Sequence, residues 1–82
     1  MPRSRITIEG IVQGVGFRPF VYQCAMRWAI SGWVLNDSRG VVIEAEGHED
    51  NLNAFLRSLR ADLPPLAAIS SLEAAEIPET GG

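Results

Sequence analysis

The sequence predicts an α+β domain in which two helices cover one face of an antiparallel sheet. Four short segments have the periodicity or composition of strands, and two longer segments carry apolar residues at helical spacing. These segments follow the order β-α-β-β-α-β, without a repeat or a linker between them. That order is typical of the ferredoxin-like arrangement, for which a strand order of 4-1-3-2 with right-handed crossovers is expected.

The first half of the chain predicts a strand, a glycine-rich turn and a helix. Residues 5–12 alternate between apolar and polar side chains, which indicates a strand with one buried face. The helix is predicted over residues 19–30, because its apolar residues form one stripe and Pro19 suits the first turn of a helix. Ser31-Gly32 is expected to end this helix, with glycine as the C-terminal cap.

The second half of the chain predicts a hairpin, a second helix and a last strand. The hairpin strands begin at Trp33 and Val41, and a turn over residues 36–40 joins them. The second helix is predicted over about residues 50–60, where apolar side chains recur at helical spacing. Residues 68–77 form a weaker fourth strand.

Length and composition limit the class of protein. The 82 residues are expected to form one domain over residues 5–77, with a flexible tail at residues 78–82. A net charge of −3 argues against a nucleic-acid partner, and the single cysteine, Cys24, excludes an intramolecular disulfide. No metal site or cofactor is predicted. The N-terminus does not resemble a signal peptide and no apolar run could span a membrane, so a cytoplasmic location without a membrane partner is expected.

A phosphate site is predicted where the first strand meets the first helix. The segment Gly10-Ile11-Val12-Gln13-Gly14-Val15-Gly16-Phe17-Arg18-Pro19-Phe20 places a glycine-rich turn, an arginine and a helix N-terminus around one small space. Arg18 supplies paired donors that match two phosphate oxygens. The backbone N–H groups that can point at the same anion belong to Gln13, Gly14, Val15, Gly16 and Phe17. The alternative is an ordinary strand-to-helix connection followed by a surface arginine.

Asn36 is a second candidate, at the end of the second strand. Its amide can both donate to and accept from a water molecule, which would orient that water for attack. Asn36 followed by Asp37 is also common turn chemistry, and the pattern alone favours that structural role. The second strand is not a neighbour of the first in the predicted sheet, so the pattern does not show whether Asn36 lies near Arg18.

Other reactive residues have simpler interpretations. Cys24 lies on the apolar stripe of the first helix and is predicted to be buried in the core. His48 lies in a loop without a second metal ligand and is expected to be solvated. Glu44 and Glu46 share one face of a strand and are predicted to be a solvated face, not an acid/base pair. Strands one and three lack aromatic residues, which disfavours RNA binding.

The motifs resemble those of the acylphosphatase family. The segment from Gly10 to Arg18 is similar to the family's first motif, and Gly32-Trp33-Val34-Leu35-Asn36, followed by Gly40 and Val42, is similar to its second. The resemblance covers about residues 5–77. It implies a ferredoxin-like fold and the metal-free hydrolysis of acyl phosphates, R-CO-O-PO₃²⁻, a reaction that depends mainly on positioning and charge stabilisation.

The resemblance also implies roles for the site residues. Arg18 and residues 13–17 would bind the phosphate and Asn36 would position the attacking water, which reverses the interpretation of Asn36 drawn from the pattern. The segment Pro19-Phe20-Val21, directly after Arg18, resembles the N-terminal domains of the HypF carbamoyltransferases of [NiFe]-hydrogenase maturation more than it resembles the free-standing acylphosphatases. The implied substrate is then carbamoyl phosphate, and the implied partner is the rest of a larger maturation protein. The alternatives are a free-standing small acylphosphatase and a phosphate-binding or substrate-gating module with negligible turnover.

Overall fold

The computed structural model describes residues 1–12 and 16–78, without the side chain of Asp37. Its elements are β1 (Arg3–Ile11), α1 (Phe17–Arg27), β2 (Ser31–Asp37), β3 (Gly40–Glu46), α2 (Glu49–Ala61) and β4 (Ala68–Ile77). The strands form one sheet in the order β2-β3-β1-β4, and each neighbouring pair is antiparallel. The predicted ferredoxin-like fold and strand order are therefore confirmed.

The apolar core joins the two helices to one face of the sheet. Ile6 and Ile8 of β1 are fully buried, as their alternation predicted. Phe55 and Leu59 lie four residues apart on α2, belong to the same apolar cluster and are also fully buried. Burial of apolar side chains of this size stabilises the folded state by about 1.5–3 kcal/mol each. The middle of β1 is thereby held in the core that the sheet and the helices share.

A β-bulge in β4 lies opposite the end of β1. Glu9 pairs with Ser71 and Gly10 pairs with Ile69, so Ser70 of β4 is the extra residue. Gly10 has a φ of 143°, and a Cβ at this position would collide with the backbone carbonyl of Ala68. Glycine is therefore required here by both the backbone conformation and the close approach of β4.

Helix α1 ends earlier than the sequence predicts. It ends at Arg27, and the serine–glycine pair expected to end it belongs to β2. Ala29 adopts a φ of 55°. The Ile30 N–H donates to the carbonyl of Ala25 at 2.8 Å, and the Ala29 N–H donates to the carbonyl of Met26 at 3.4 Å. This is a Schellman C-cap in which alanine occupies the left-handed position that glycine usually takes.

Replacement of Ala29 by glycine is expected to raise the free energy of unfolding by about 0.5–1 kcal/mol. The left-handed conformation costs a residue with a Cβ about 1–2 kcal/mol, which exceeds the entropy that glycine adds to the unfolded chain. Chemical denaturation measures the difference. Ala25→Gly, inside the same helix, is the matched control and is expected to lower the free energy of unfolding by about 1 kcal/mol. A destabilising effect of Ala29→Gly would contradict this account of the C-cap.

An ion-pair network lies on the open face of the sheet, at the end where β1 begins. Arg3 contacts Glu44 at 2.9 Å and Glu46 at 3.1 Å, and Arg5 contacts Glu44 at 3.0 Å. Hydrogen bonds from Arg5 and Arg3 hold the pKa of Glu44 below its usual range. The prediction that Glu44 and Glu46 form a solvated face is wrong, because the sheet register brings two arginines opposite them and both carboxylates are partly buried.

Cys24 lies on α1, Trp28 follows that helix, and His48 precedes α2. Cys24 is buried, as predicted, and its burial raises the pKa of the thiol. The Trp28 Nε1 group donates to the Ser58 hydroxyl at 2.7 Å, which links α1 to α2. His48 is exposed at the N-cap of α2, in agreement with the predicted solvated histidine.

Candidate active site

Two strand ends and the start of a helix meet at one end of the sheet. β1 and β2 run in the same direction, because each is antiparallel to β3, which lies between them. Their C-terminal ends therefore lie at the same end of the sheet. The chain leaves β1 at this end and enters α1 at Phe17, so the N-terminus of α1 lies there as well.

The N-terminus of α1 presents backbone donors without a side-chain cap. Gly16 occupies the N-cap position with φ 78° and ψ 17°, and no side chain caps the helix. The Phe20 N–H donates to the carbonyl of Gly16 at 3.2 Å. The N–H groups of Phe17 and Arg18 come before this bond and have no partner within the helix, and Pro19 has no N–H. Because the first turn also lacks an acidic residue, the donors and the helix dipole favour an anion here.

Arg18 is exposed beside a residue that is fixed in the core. Phe17 is 1% exposed, and its ring centroid lies 5.7 Å from that of Phe20. This packing anchors the first turn of α1 and leaves the Arg18 side chain in solvent. The helix dipole alone disfavours a cation at this position. A bound phosphate would make the position favourable for a cation, because the guanidinium and the N–H groups would then contact an opposite charge.

Part of the predicted phosphate-binding segment lies outside the described residues. Gln13, Gly14 and Val15 belong to that part, whereas Gly16 and Phe17 are described. A Cβ placed on Gly16 would meet no described atom within 4 Å. Glycine is therefore favoured at this position by its positive φ and not by crowding.

Asn36 lies at the same end of the sheet as the N-terminus of α1, and on the same side. It pairs with Val41 of β3, which in turn pairs with Ile8 of β1. Val41 and Ile8 are buried on the helix-covered face, and directly opposite residues of antiparallel strands share a face. Asn36 therefore belongs to that face, where its side chain is exposed. The topology brings Asn36 and Arg18 to one end and one side of the sheet, although β3 separates their strands.

A cleft of ≈ 190 Å³ lies between the end of β1 and the turn that joins β2 to β3. Its lining residues are Gly10, Ile11, Val12, Ser38, Arg39 and Gly40. Val12 directly precedes the predicted phosphate-binding segment in the sequence. Arg39, an exposed residue of that turn, was not singled out by the sequence analysis.

The described part of the chain has neither a metal-binding cluster nor a membrane-spanning helix. Within residues 1–12 and 16–78, no three or more His, Cys, Asp or Glu side chains group closely enough to hold a metal ion. Over the same ranges, no helix is both long and apolar enough to cross a membrane.

The fold and the uncapped helix N-terminus define a small α+β domain with a candidate anion-binding site. The sequence model of the family described as acylphosphatase matches residues 4–82. The chain is 40% identical over 80 residues to an acylphosphatase of Oceanobacillus iheyensis, and the match covers 96% of this chain and 88% of that protein. The chain belongs to the acylphosphatase family, as its motifs indicated.

Much larger proteins contain a similar segment. The chain is 49% identical over 80 residues to the carbamoyltransferase HypF of Rhizobium leguminosarum bv. viciae, a match over 98% of this chain and 10% of that protein. This chain thus spans about a tenth of the length of the carbamoyltransferases that it matches. A crystal structure of full-length HypF in the phosphate- and nucleotide-bound form is similar with a TM-score of 0.92 and 40% identity, over 96% of this chain and 10% of that chain. The acylphosphatase from Bacillus subtilis is similar with a TM-score of 0.90 and 36% identity, over 100% of this chain and 91% of that chain.

Proposed function

We propose that this chain hydrolyses carbamoyl phosphate without a metal ion, as the acylphosphatase domain of a cytoplasmic carbamoyltransferase of [NiFe]-hydrogenase maturation. The observation that carries this choice of substrate is the 49% identity to a carbamoyltransferase over 98% of the chain. The segment Pro19-Phe20-Val21, directly after Arg18, supports the same assignment. In this context the partner is the rest of the larger maturation protein, which would receive the carbamate.

The proposed phosphate site combines the N-terminus of α1 with Arg18. The N–H groups of residues 13–17 and the Arg18 guanidinium bind the phosphate oxygens and stabilise the charge that they carry in the transition state. The backbone of Phe17 is held in place before the substrate arrives, because its side chain is packed in the core. This preorganisation is the main contribution that a protein can make to phosphoryl transfer.

Asn36 is proposed to orient the attacking water. The water oxygen forms a bond to phosphorus while the bond between phosphorus and the carbonyl-linked oxygen breaks. Carbamate, H₂N-COO⁻, leaves with the electron pair of that bond. The leaving group needs no strong acid. One proton of the water stays on the attacking oxygen and an oxygen of the substrate's own phosphate accepts the other, so the product is H₂PO₄⁻. The amide of Asn36 therefore contributes orientation and no proton transfer.

A second candidate function is the hydrolysis of a broader set of acyl phosphates, as in a free-standing acylphosphatase. Its support is the match over 88% of the length of the Oceanobacillus iheyensis acylphosphatase. The two candidates share the same phosphate site and differ in the group that is attached to the phosphate. The ratio of kcat/KM values for carbamoyl phosphate and for benzoyl phosphate separates them.

The proposed function is tested by phosphate release from carbamoyl phosphate and benzoyl phosphate, measured with the purified chain in EDTA. We expect turnover of both substrates to survive the chelator, with the higher kcat/KM for carbamoyl phosphate. A higher kcat/KM for benzoyl phosphate would favour the second candidate. Loss of turnover in EDTA would contradict the metal-free reaction. A folded chain that binds inorganic phosphate and hydrolyses neither substrate would be a binding or gating module.

A further inference from the structure

Gly40 is buried at the start of β3, between the two strand ends that meet at the candidate active site. It pairs with Glu9 of β1 on one side and with Asp37 of β2 on the other. Asn36 directly precedes Asp37, and its own partner on β3 is Val41. The fit of Gly40 against β1 therefore determines how far the end of β2, with Asn36, lies from the end of β1.

No side chain fits at position 40. A Cβ placed on Gly40 would overlap the carbonyl oxygen of Ile8 and would lie 3.1 Å from the Cα of Glu9. Both atoms belong to the backbone of β1, so a change of rotamer could not relieve the overlap. Gly40 is not one of the glycines with a positive φ. Glycine is therefore required here by the close approach of β1 and not by the backbone conformation.

A side chain at position 40 would displace the β2–β3 hairpin and not β1. β1 is an inner strand that pairs with both β3 and β4, and its residues Ile6 and Ile8 are fully buried. β2 lies at the edge of the sheet and pairs only with β3. The start of β3 and the end of β2 would therefore move away from β1, and Asn36 would move with them because it pairs with Val41.

The phosphate side of the site is anchored independently of the hairpin turn. Phe17, whose N–H has no partner within α1, is 1% exposed and belongs to the same buried cluster as Ile8. Arg18 follows it in the first turn of α1. A shift of the hairpin would change the position of Asn36 relative to these groups and would remove none of them.

We propose that Gly40 is a positioning residue of the active site, because its missing side chain lets β3 approach β1 and so sets the distance from Asn36 to the N-terminus of α1. This inference rests on the proposed function, in which Asn36 orients the attacking water and α1 binds the phosphate. Gly40 contacts no reacting atom, and its effect passes through Asn36. A misplacement of about 1 Å can lower a rate about 10²-fold, so a small change in strand separation is sufficient.

The test is a double-mutant cycle that combines Gly40→Ala with Asn36→Ala. The kcat for benzoyl phosphate and the inhibition constant of inorganic phosphate are measured in sucrose, which favours the folded state, and circular dichroism shows that each variant is folded. We expect Gly40→Ala to lower kcat by about 10- to 10²-fold and to leave the inhibition constant within about twofold of the wild-type value. In the Asn36→Ala background it should change kcat by less than about twofold, because the water is no longer oriented there.

Gly32→Ala is the matched control, at the opposite end of the same pair of strands. Gly32 pairs with Ala45, and a Cβ on it would overlap the carbonyl oxygen of Glu44. Its φ of 141° adds backbone strain, so this variant is expected to be at least as destabilised as Gly40→Ala in chemical denaturation. Its kcat is expected to stay within about twofold of the wild-type value, because the strands separate far from Asn36.

Each alternative result has a distinct meaning. An unchanged kcat in Gly40→Ala, or an equal loss in Gly32→Ala, would overturn the inference. An equal loss in the Asn36→Ala background, or a parallel loss of phosphate binding, would also overturn it, because Gly40 would then not act through Asn36. A Gly40→Ala chain that stays unfolded in sucrose would show that glycine is required for folding and would overturn it as well. In all these cases the wild type still hydrolyses its substrate and the proposed function stands, whereas a wild type without turnover would overturn both.

Discussion

Replacement of Arg18 by alanine is expected to lower kcat/KM for an acyl phosphate by about 10²- to 10³-fold, the usual effect of removing one preorganised charge-stabilising donor. Arg18 lies in the first turn of α1, whose N-terminus has no side-chain cap, so a phosphate bound there is within reach of its guanidinium. Because the transition state concentrates negative charge on the phosphoryl oxygens, the loss should be larger in kcat/KM than in the affinity for inorganic phosphate. Steady-state phosphate release and the inhibition constant of phosphate measure the two effects.

The Arg18 prediction has two controls. Arg57→Ala removes an exposed arginine from α2 and is expected to leave kcat/KM within about twofold of the wild type. Arg18→Lys keeps the charge but loses the paired donors, so an intermediate activity is expected. If Arg18→Ala retains most of the wild-type rate, Arg18 does not belong to the phosphate site and the prediction is wrong. Circular dichroism and the unfolding midpoint show that each variant is folded.

Replacement of Asn36 by alanine is expected to lower kcat by about 10²-fold, the size of effect that misplacement of a reacting group produces. The proposed role of Asn36 is to orient a water molecule and not to bind the phosphate. The inhibition constant of inorganic phosphate is therefore expected to stay within about twofold of the wild-type value, in contrast to Arg18→Ala. Single-turnover phosphate release and inhibition by phosphate separate the two variants.

Asn53→Ala is the matched control for Asn36→Ala, because Asn53 is an exposed asparagine on α2. Asn36→Asp adds a second test, since a carboxylate accepts hydrogen bonds but repels the phosphate. It should be at least as inactive as Asn36→Ala, and unlike that variant it should weaken phosphate binding. If the kcat of Asn36→Ala equals that of Asn53→Ala, Asn36 does not orient the water. Its role would then be structural, in the turn that it forms with Asp37.

The fold was predictable because its signals are local. The alternation around Ile6 and Ile8 marks a strand, and the apolar spacing that includes Phe55 and Leu59 marks a helix. The end of α1 was not predictable in this way. Its C-cap depends on a left-handed alanine, Ala29, whereas the sequence pattern predicted Gly32 as the cap.

The site was predictable in part, for a related reason. Arg18 follows a glycine-rich turn directly, so a single segment of sequence contains the signal. Asn36 is separated from that segment by β3 in the sheet, and only the topology shows that both lie at one end and on one side. The pairing of Arg3 with Glu44 was missed because it depends on the register of two strands that are far apart in sequence. Contacts of this kind are set by tertiary structure and leave no local pattern.

The segment that carries the proposed site is tied to the core at both of its ends. Val12 precedes it with 2% of its surface exposed, and Phe17 follows it with 1% exposed. Neither end can shift without opening the packing between the helices and the sheet. Loss of catalytic competence on heating should therefore coincide with the global unfolding transition and not precede it. Activity measured during heating should therefore follow the same transition as the unfolding of the core, as expected for a single cooperative unit.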